Sequence, residues 1–318
     1  MSNSSASLLQ AWAYKCIFAF LSASCALSST AQSPKNRLNY DPQAKVAISI
    51  SEVEYLKTET GRSLKARIYR PLGTGPFPTL IDFHGGAWNN KDRFAEEPMD
   101  QAIAKSGVLV IAVDLTLAAD RPYPANVQDA HYAIRWVKHH AKEWAGDTQT
   151  LGVYGSSSGG HVAELLSLRP DEPLYAKIPF APNPQLDASF SYLATRSPIS
   201  NPPARYENAV NKKRENMIKN NLNYFKPFQT IYESSPQAIL DNKLAPKKLL
   251  PLLIMQGELD DNVLPETQKH FAQSYQAAGG DCTFLIFDKS EHEWVAQESA
   301  QTDLARQTVK NFIAKQLL

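Results

Sequence analysis

With 318 residues, 43% of them apolar, the chain is long enough to bury one large α/β core or two ordinary ones. Its 33 lysines and arginines nearly cancel 32 aspartates and glutamates, and no basic stripe runs along it, which argues against nucleic acid as a partner. Repeats of fixed period and low-complexity tracts are absent, so repeat architectures are excluded as well.

The first thirty or so residues differ from all that follow. Lys15 precedes an apolar run over 16–27, which gives way to the small residues Ser29, Thr30 and Ala31. That pattern predicts a secretory signal peptide over 1–31, cleaved after about Ala31, and a periplasmic or secreted protein with no membrane span after cleavage. The run is shorter than the roughly 20 apolar residues that cross a bilayer. Lipid attachment at Cys25 is the alternative, although Ser22-Ala23-Ser24 matches the usual leucine-led lipoprotein signal poorly. Cleavage would remove Cys16 and Cys25 and leave Cys282 alone, so stability must then come from the core and not from a disulfide. Cys282 itself reads as a small core residue opening a buried strand.

After a polar linker over 32–45, segments 46–56 and 63–69 alternate apolar and polar residues around Glu59-Thr60-Gly61-Arg62, the pattern of an antiparallel hairpin. From residue 79 the rhythm becomes strand, helix, strand: a strand over 79–83, a helix over 96–105, and an apolar strand over 108–113 of the kind covered on both faces. Val127, Ala130, Ile134, Val137 and Ala141 recur at helical spacing and place a long amphipathic helix over 124–144. A strand over 151–154 follows, then a helix from Ser158. Segment 178–181 is expected to be a further sheet strand, and residues 187–242 an inserted cap with short helices. The sheet then resumes with a strand over 250–255, a helix over 266–278, a last strand over 283–287 and a closing helix over 297–317. The fold class is therefore α/β: a mostly parallel, doubly wound sheet over 46–318 with an N-terminal antiparallel hairpin and an inserted cap.

Chemistry concentrates in four loops, each at the carboxyl end of an expected strand, where open α/β sheets bind ligands. Gly155-Ser156-Ser157-Ser158-Gly159-Gly160 is a Gly-x-Ser-x-Gly turn between strand and helix, with Ser157 as nucleophile. Small residues let such a sharp turn close, and the helix beneath points its free N–H groups at developing negative charge. An activated serine needs a base, and the base a carboxylate. His84 belongs to a different motif; His131, His139 and His140 lie on the long helix, His161 shares the helix of Ser157, and His270 lies inside another. His292, just past the last strand, remains. The preceding strand ends in a loop holding Asp260, the chosen acid, with Asp261 as the alternative. In His84-Gly85-Gly86-Ala87-Trp88, the N–H groups of Gly85 and Gly86, joined by that of Ser158, are the expected oxyanion hole. Trp88, with Tyr192 and Tyr224 of the cap, is expected to line the substrate pocket.

These motifs and their chain order resemble the α/β-hydrolase fold from about Val46 onward. His84 to Trp88 together with Gly155 to Gly160 resemble the esterase group that includes hormone-sensitive-lipase-like carboxylesterases and bacterial feruloyl and acetyl esterases. The resemblance implies hydrolysis of short-chain or aryl carboxylic esters through an acyl-enzyme, without metal or organic cofactor. Two departures stand out: Ala87-Trp88 replaces the third glycine of many lipase-like members, and Glu291 precedes His292 where glycine is common. A His-Gly-Gly-x-Trp loop also occurs in kynurenine formamidases, so an amide hydrolase is the alternative activity. A non-catalytic binding protein of this fold would be expected to lack the serine, the histidine or the acid.

Overall fold

The computed structural model of the protein describes Leu38 and residues 40–318. The expected signal peptide, the alternative at Cys25 and the linker up to residue 37 lie outside the described residues.

Eight strands form one sheet: β1 (Ile48–Lys57), β2 (Ser63–Pro71), β3 (Phe77–Phe83), β4 (Leu109–Val113), β5 (Gly146–Ser156), β6 (Tyr192–Arg196), β7 (Leu252–Gly257) and β8 (Cys282–Phe287). Their order across the sheet is β1-β2-β4-β3-β5-β6-β7-β8. β1 and β2 pair as the expected antiparallel hairpin at one edge, β2 also runs antiparallel to β4, and every other neighbouring pair is parallel. β4 shows why. All five of its residues are buried; Leu109, Ile111 and Val113 face one core while Val110 and Ala112 face the other. Only a strand with helices over both faces can accommodate that run.

The helices are α1 (Glu97–Ala104), α2 (Ala125–His140), α3 (Ser158–Leu168), α4 (Pro202–Asn211), α5 (Glu215–Tyr224), α6 (Thr230–Glu233), α7 (Pro236–Asp241), α8 (Pro265–Ala277) and α9 (Ala300–Gln316). Met99 and Ile103 of α1 and Val309 and Ile313 of α9 fill one core, while Val127 and Ile134 of α2, Val162 and Leu165 of α3 and Phe271 of α8 fill the other. No described helix is long and apolar enough to cross a membrane.

The central strand after α3 is not the expected 178–181. Pro179, Pro182 and Pro184 deprive that stretch of ladder donors, and it runs as irregular chain. The strand is Tyr192–Arg196, inside the span assigned to the cap; its burial is complete although it ends in Thr195 and Arg196. The helical insertion therefore begins after residue 196, with α4 to α7 between β6 and β7. Tyr192 is consequently a sheet residue packed edge-on against Phe312 of α9, not a cap residue at a pocket.

α3 approaches the sheet closely enough to leave no room for a side chain. A Cβ on Gly159 would lie 1.9 Å from the Phe83 carbonyl oxygen and 2.6 Å from that of His84. Gly159→Ala is therefore expected to lose at least about 2–3 kcal/mol in urea unfolding. Gly279→Ala, at an open position with φ +90°, should lose only the ~1 kcal/mol of a left-handed backbone. Equal losses would contradict the steric account.

Candidate active site

The turn after β5 holds Ser157 at φ 49° and ψ −114°, a conformation rare for any residue with a Cβ. Three backbone bonds fix it: the Ser157 N–H donates to the Arg196 carbonyl, and its own carbonyl accepts from the N–H groups of His161 and Ile199. Ser157 thus begins α3 with its hydroxyl above the helix N-terminus.

His292 lies in the loop beyond β8. Its Nε2 is 3.0 Å from Ser157 Oγ and its Nδ1 2.8 Å from Asp260 Oδ2. Because an ionised carboxylate only accepts, Nδ1 carries the proton, which leaves the Nε2 lone pair for the serine hydroxyl. Asp260 is buried and fully bonded: Oδ1 accepts from the Asn262 and Val263 N–H groups at 3.0 and 2.8 Å, and Oδ2 accepts also from Gln256 Nε2 at 3.0 Å. Burial pushes this carboxyl up, but the hydrogen bond and charge of His292, with the Val263 N–H, outweigh it and hold it below its ordinary value. The stability Asp260 contributes is therefore complete above about 3.8 and is lost as the pH falls through the lower folded value. Asp261, the alternative acid, points the other way: its carboxylate is 66% exposed and pairs with Arg214.

Opposite the histidine, the loop after β3 turns under Ser157. A Cβ on Gly85 would sit 3.3 Å from the Ser157 Cβ, and Gly86 takes φ +102° where a Cβ would collide with the Asn90 carbonyl at 2.0 Å. The N–H groups of Gly85, Gly86 and Ser158 have no acceptor among the described residues. Ala87 and Trp88 continue in positive φ, and the Trp88 N–H is taken by Ser158 Oγ at 3.1 Å, which ties the loop to α3. His84 shapes the loop: its Nδ1 donates to the Gly85 carbonyl and its Nε2 accepts from the Leu115 N–H, and burial lowers its pKa.

Trp88 stands beside the site but is only 3% exposed. It stacks on Tyr224 at 4.5 Å, itself buried, and donates from its indole to His161 Nδ1. Trp88 and Tyr224, two of the three rings expected at a pocket wall, are thus packed against each other and buried. His161 passes the link on, donating from Nε2 to the Ser234 carbonyl of the cap; burial pushes its pKa down to about 4, so it stays neutral.

Sequence reasoning missed Arg196 altogether. Its Nη1 donates to the His292 carbonyl at 2.6 Å, its Nη2 to Glu96 Oε1 at 2.8 Å, and its guanidinium lies over the Trp294 ring. Glu293 Oε2 is 3.7 Å away, and the other oxygen of Glu293 accepts from Lys91, so the histidine loop is tied to β6, to the chain entering α1 and to the loop after β3. The available signal was a charged residue closing a short, otherwise uncharged segment. Among the described residues no group of three or more His, Cys, Asp or Glu could hold a metal ion.

The family model BD-FAE matches residues 67–275, about two thirds of the sequence. The chain belongs to the BD-FAE family. The BD-FAE match takes in the loop after β3, the serine turn and Asp260, and stops short of His292. Carboxylesterase NlhH of Mycobacterium tuberculosis is 32% identical over 106 residues, 33% of either protein. Esterase LipI of the same organism is 28% identical over 168 residues, 50% of this chain and 52% of LipI. The chain spans about a third to a half of the length of these curated relatives. Esterase 2 of Thermogutta terrifontis superposes with a TM-score of 0.68 at 22% identity, covering 84% of this chain and 94% of that one. That likeness, together with the sheet order, establishes the α/β-hydrolase fold for this BD-FAE member.

The buried Arg196–Glu96 pair makes a stability prediction of its own. Arg196→Met leaves Glu96 buried without its cation and is expected to cost about 3–5 kcal/mol in urea unfolding. Adding Glu96→Leu should recover most of that loss; a double variant as unstable as the sum of both single changes would contradict the pairing.

Proposed function

We propose that the protein is a serine carboxylesterase acting on short-chain or aryl esters. One arrangement carries the reading: a serine hydroxyl, an imidazole and a buried carboxylate in continuous hydrogen-bond contact, facing three backbone N–H groups that nothing else among the described residues uses. Ser157 Oγ attacks the ester carbonyl while His292 Nε2 takes its proton. Asp260 holds the imidazole in the required tautomer and stabilises the imidazolium. The N–H groups of Gly85, Gly86 and Ser158 receive the charge on the tetrahedral oxygen, where each donor is worth on the order of a hundred to a thousand fold in rate. The imidazolium then protonates the departing alcohol, and water enters by the same route to release the acid.

The names of NlhH and LipI support an ester substrate, as does that of esterase 2 of Thermogutta terrifontis, which is described as phosphoramylated by tabun. The small-residue boundary at Ala31 supports export to the periplasm or the medium.

Hydrolysis of 4-nitrophenyl acetate, butyrate and octanoate tests the reading. The exported protein, recovered from periplasm or medium, is expected to turn over the shorter esters fastest. Ser157→Ala should abolish that turnover. Asp260→Asn should cut it by ~10,000-fold through the wrong tautomer, while Asp261→Asn changes it less than about twofold. Inactivity on every ester with turnover of an N-formyl arylamine would replace the esterase reading with a formamidase, and activity confined to the cytosol would overturn the export.

A further inference from the structure

Arg205 sits in the first turn of α4, just after Asn201 caps that helix by accepting from the Ala204 N–H. Its side chain turns away from solvent, leaving the residue 5% exposed, and bridges two of the loops that carry the site. Nε donates at 2.9 Å to Asn262 Oδ1, and Asn262 is also the residue whose backbone N–H holds Asp260. Cζ lies 5.8 Å from the centre of the Trp88 ring, beside the oxyanion loop. The crevice that Arg205 lines is small, about 10 Å³, and is walled by Ile199 and Val263; the Ile199 N–H donates to the Ser157 carbonyl, and the Val263 N–H to Asp260.

The charge of this guanidinium is unanswered. Nη1 is buried with no hydrogen-bond partner, and Arg205 forms no ion pair among the described residues. Asp260 contributes a favourable field, but its oxygens are committed to His292, Gln256, Asn262 and Val263, and Asp261 is held by Arg214. Burial pushes the Arg205 pKa down to about 10, against the pull of Asp260, so it is cationic at neutral pH. A buried cation with planar donors unfilled is unfavourable on its own, and with Nε committed to Asn262 its free edge fits one kind of partner best: a carboxylate received end-on by the two terminal nitrogens. Arg196, also buried, shows the contrast, since its charge is met by Glu96 within the protein.

We propose that Arg205 receives a carboxylate of the substrate, so that the preferred esters carry a second, free carboxylate, as hemiesters of short dicarboxylic acids do. The proposal rests on the esterase reading for the reaction but not for the binding of the anion. A neutral ester of the same shape leaves the guanidinium unpaired, which is the condition under which a polar site discriminates strongly.

Two measurements test it. In the first, 4-nitrophenyl hemiglutarate is compared with 4-nitrophenyl valerate, and acetoxyacetate with ethyl acetate, so that the carboxylate is placed on either side of the ester. The wild type should favour the acid member of at least one pair by on the order of ten- to a hundredfold in kcat/KM. Arg205→Met should erase that ratio and Arg205→Lys retain part of it. In the second, saturating glutarate should raise the melting temperature of the wild type and of Ser157→Ala by a few degrees, roughly what binding at a hundred times Kd provides. Arg205→Met should show no such rise. No preference in either pair, a preference that survives in Arg205→Met, or equal glutarate stabilisation of wild type and Arg205→Met would each overturn the proposal. Glutarate stabilisation without ester turnover would leave the anion site standing and sink the esterase reading instead.

Discussion

Everything at this site hangs on a backbone constraint, the strained turn at Ser157. A non-glycine residue at φ 49° and ψ −114° costs on the order of 1–3 kcal/mol and persists only where its surroundings over-determine it. They do so here from three directions. β6 supplies the Arg196 carbonyl, the chain after β6 supplies the Ile199 N–H, and α3 begins so close to the end of β3 that a glycine hydrogen is all that fits between them. The same close approach brings the loop after β3 under the serine. One steric requirement therefore places the Ser157 hydroxyl beside N–H groups that have no acceptor among the described residues.

Around that turn the protein arranges its charges by pairing them inside or leaving them open. Arg196 is neutralised by Glu96 at one terminal nitrogen and donates from the other to the His292 carbonyl, so the electrostatics of a buried pair fix the position of His292. The hydrogen-bonded contacts of Asp260 leave it ionised and rotate the imidazole toward Ser157. On the other side His161, kept neutral by burial, joins α3 to the cap through the Ser234 carbonyl and to the loop after β3 through Trp88. A histidine that the sequence places only on the helix of Ser157 is thus a fastener between three layers.

The legible parts of this structure were those set by short-range rules. Gly155 to Gly160, His84 to Trp88 and the apolar β4 declare themselves because a tight turn, a bare N–H pair and a doubly covered strand each need particular residues within a few positions. The position of β6 was hidden because Thr195 and Arg196 are satisfied by partners some 60 to 100 residues away, Leu253 and Glu96, while 178–181 looked more apolar than its neighbouring prolines permit. Trp88, Tyr192 and Tyr224 were read as pocket aromatics because a sequence does not say which ring stacks on which. The bare charge of Arg205 was invisible for the same reason: an unpaired cation is defined by what does not come near it once the chain has folded.

The measurement that bears most directly on this account is covalent labelling with a fluorophosphonate followed by peptide mass mapping. A single adduct on Ser157 is predicted, formed far more slowly when His292 is changed to alanine and unaffected by Asp261→Asn. A folded protein that takes no label, or takes it on another residue at a rate indifferent to His292, would contradict the claim that the Ser157 turn is built to activate a nucleophile.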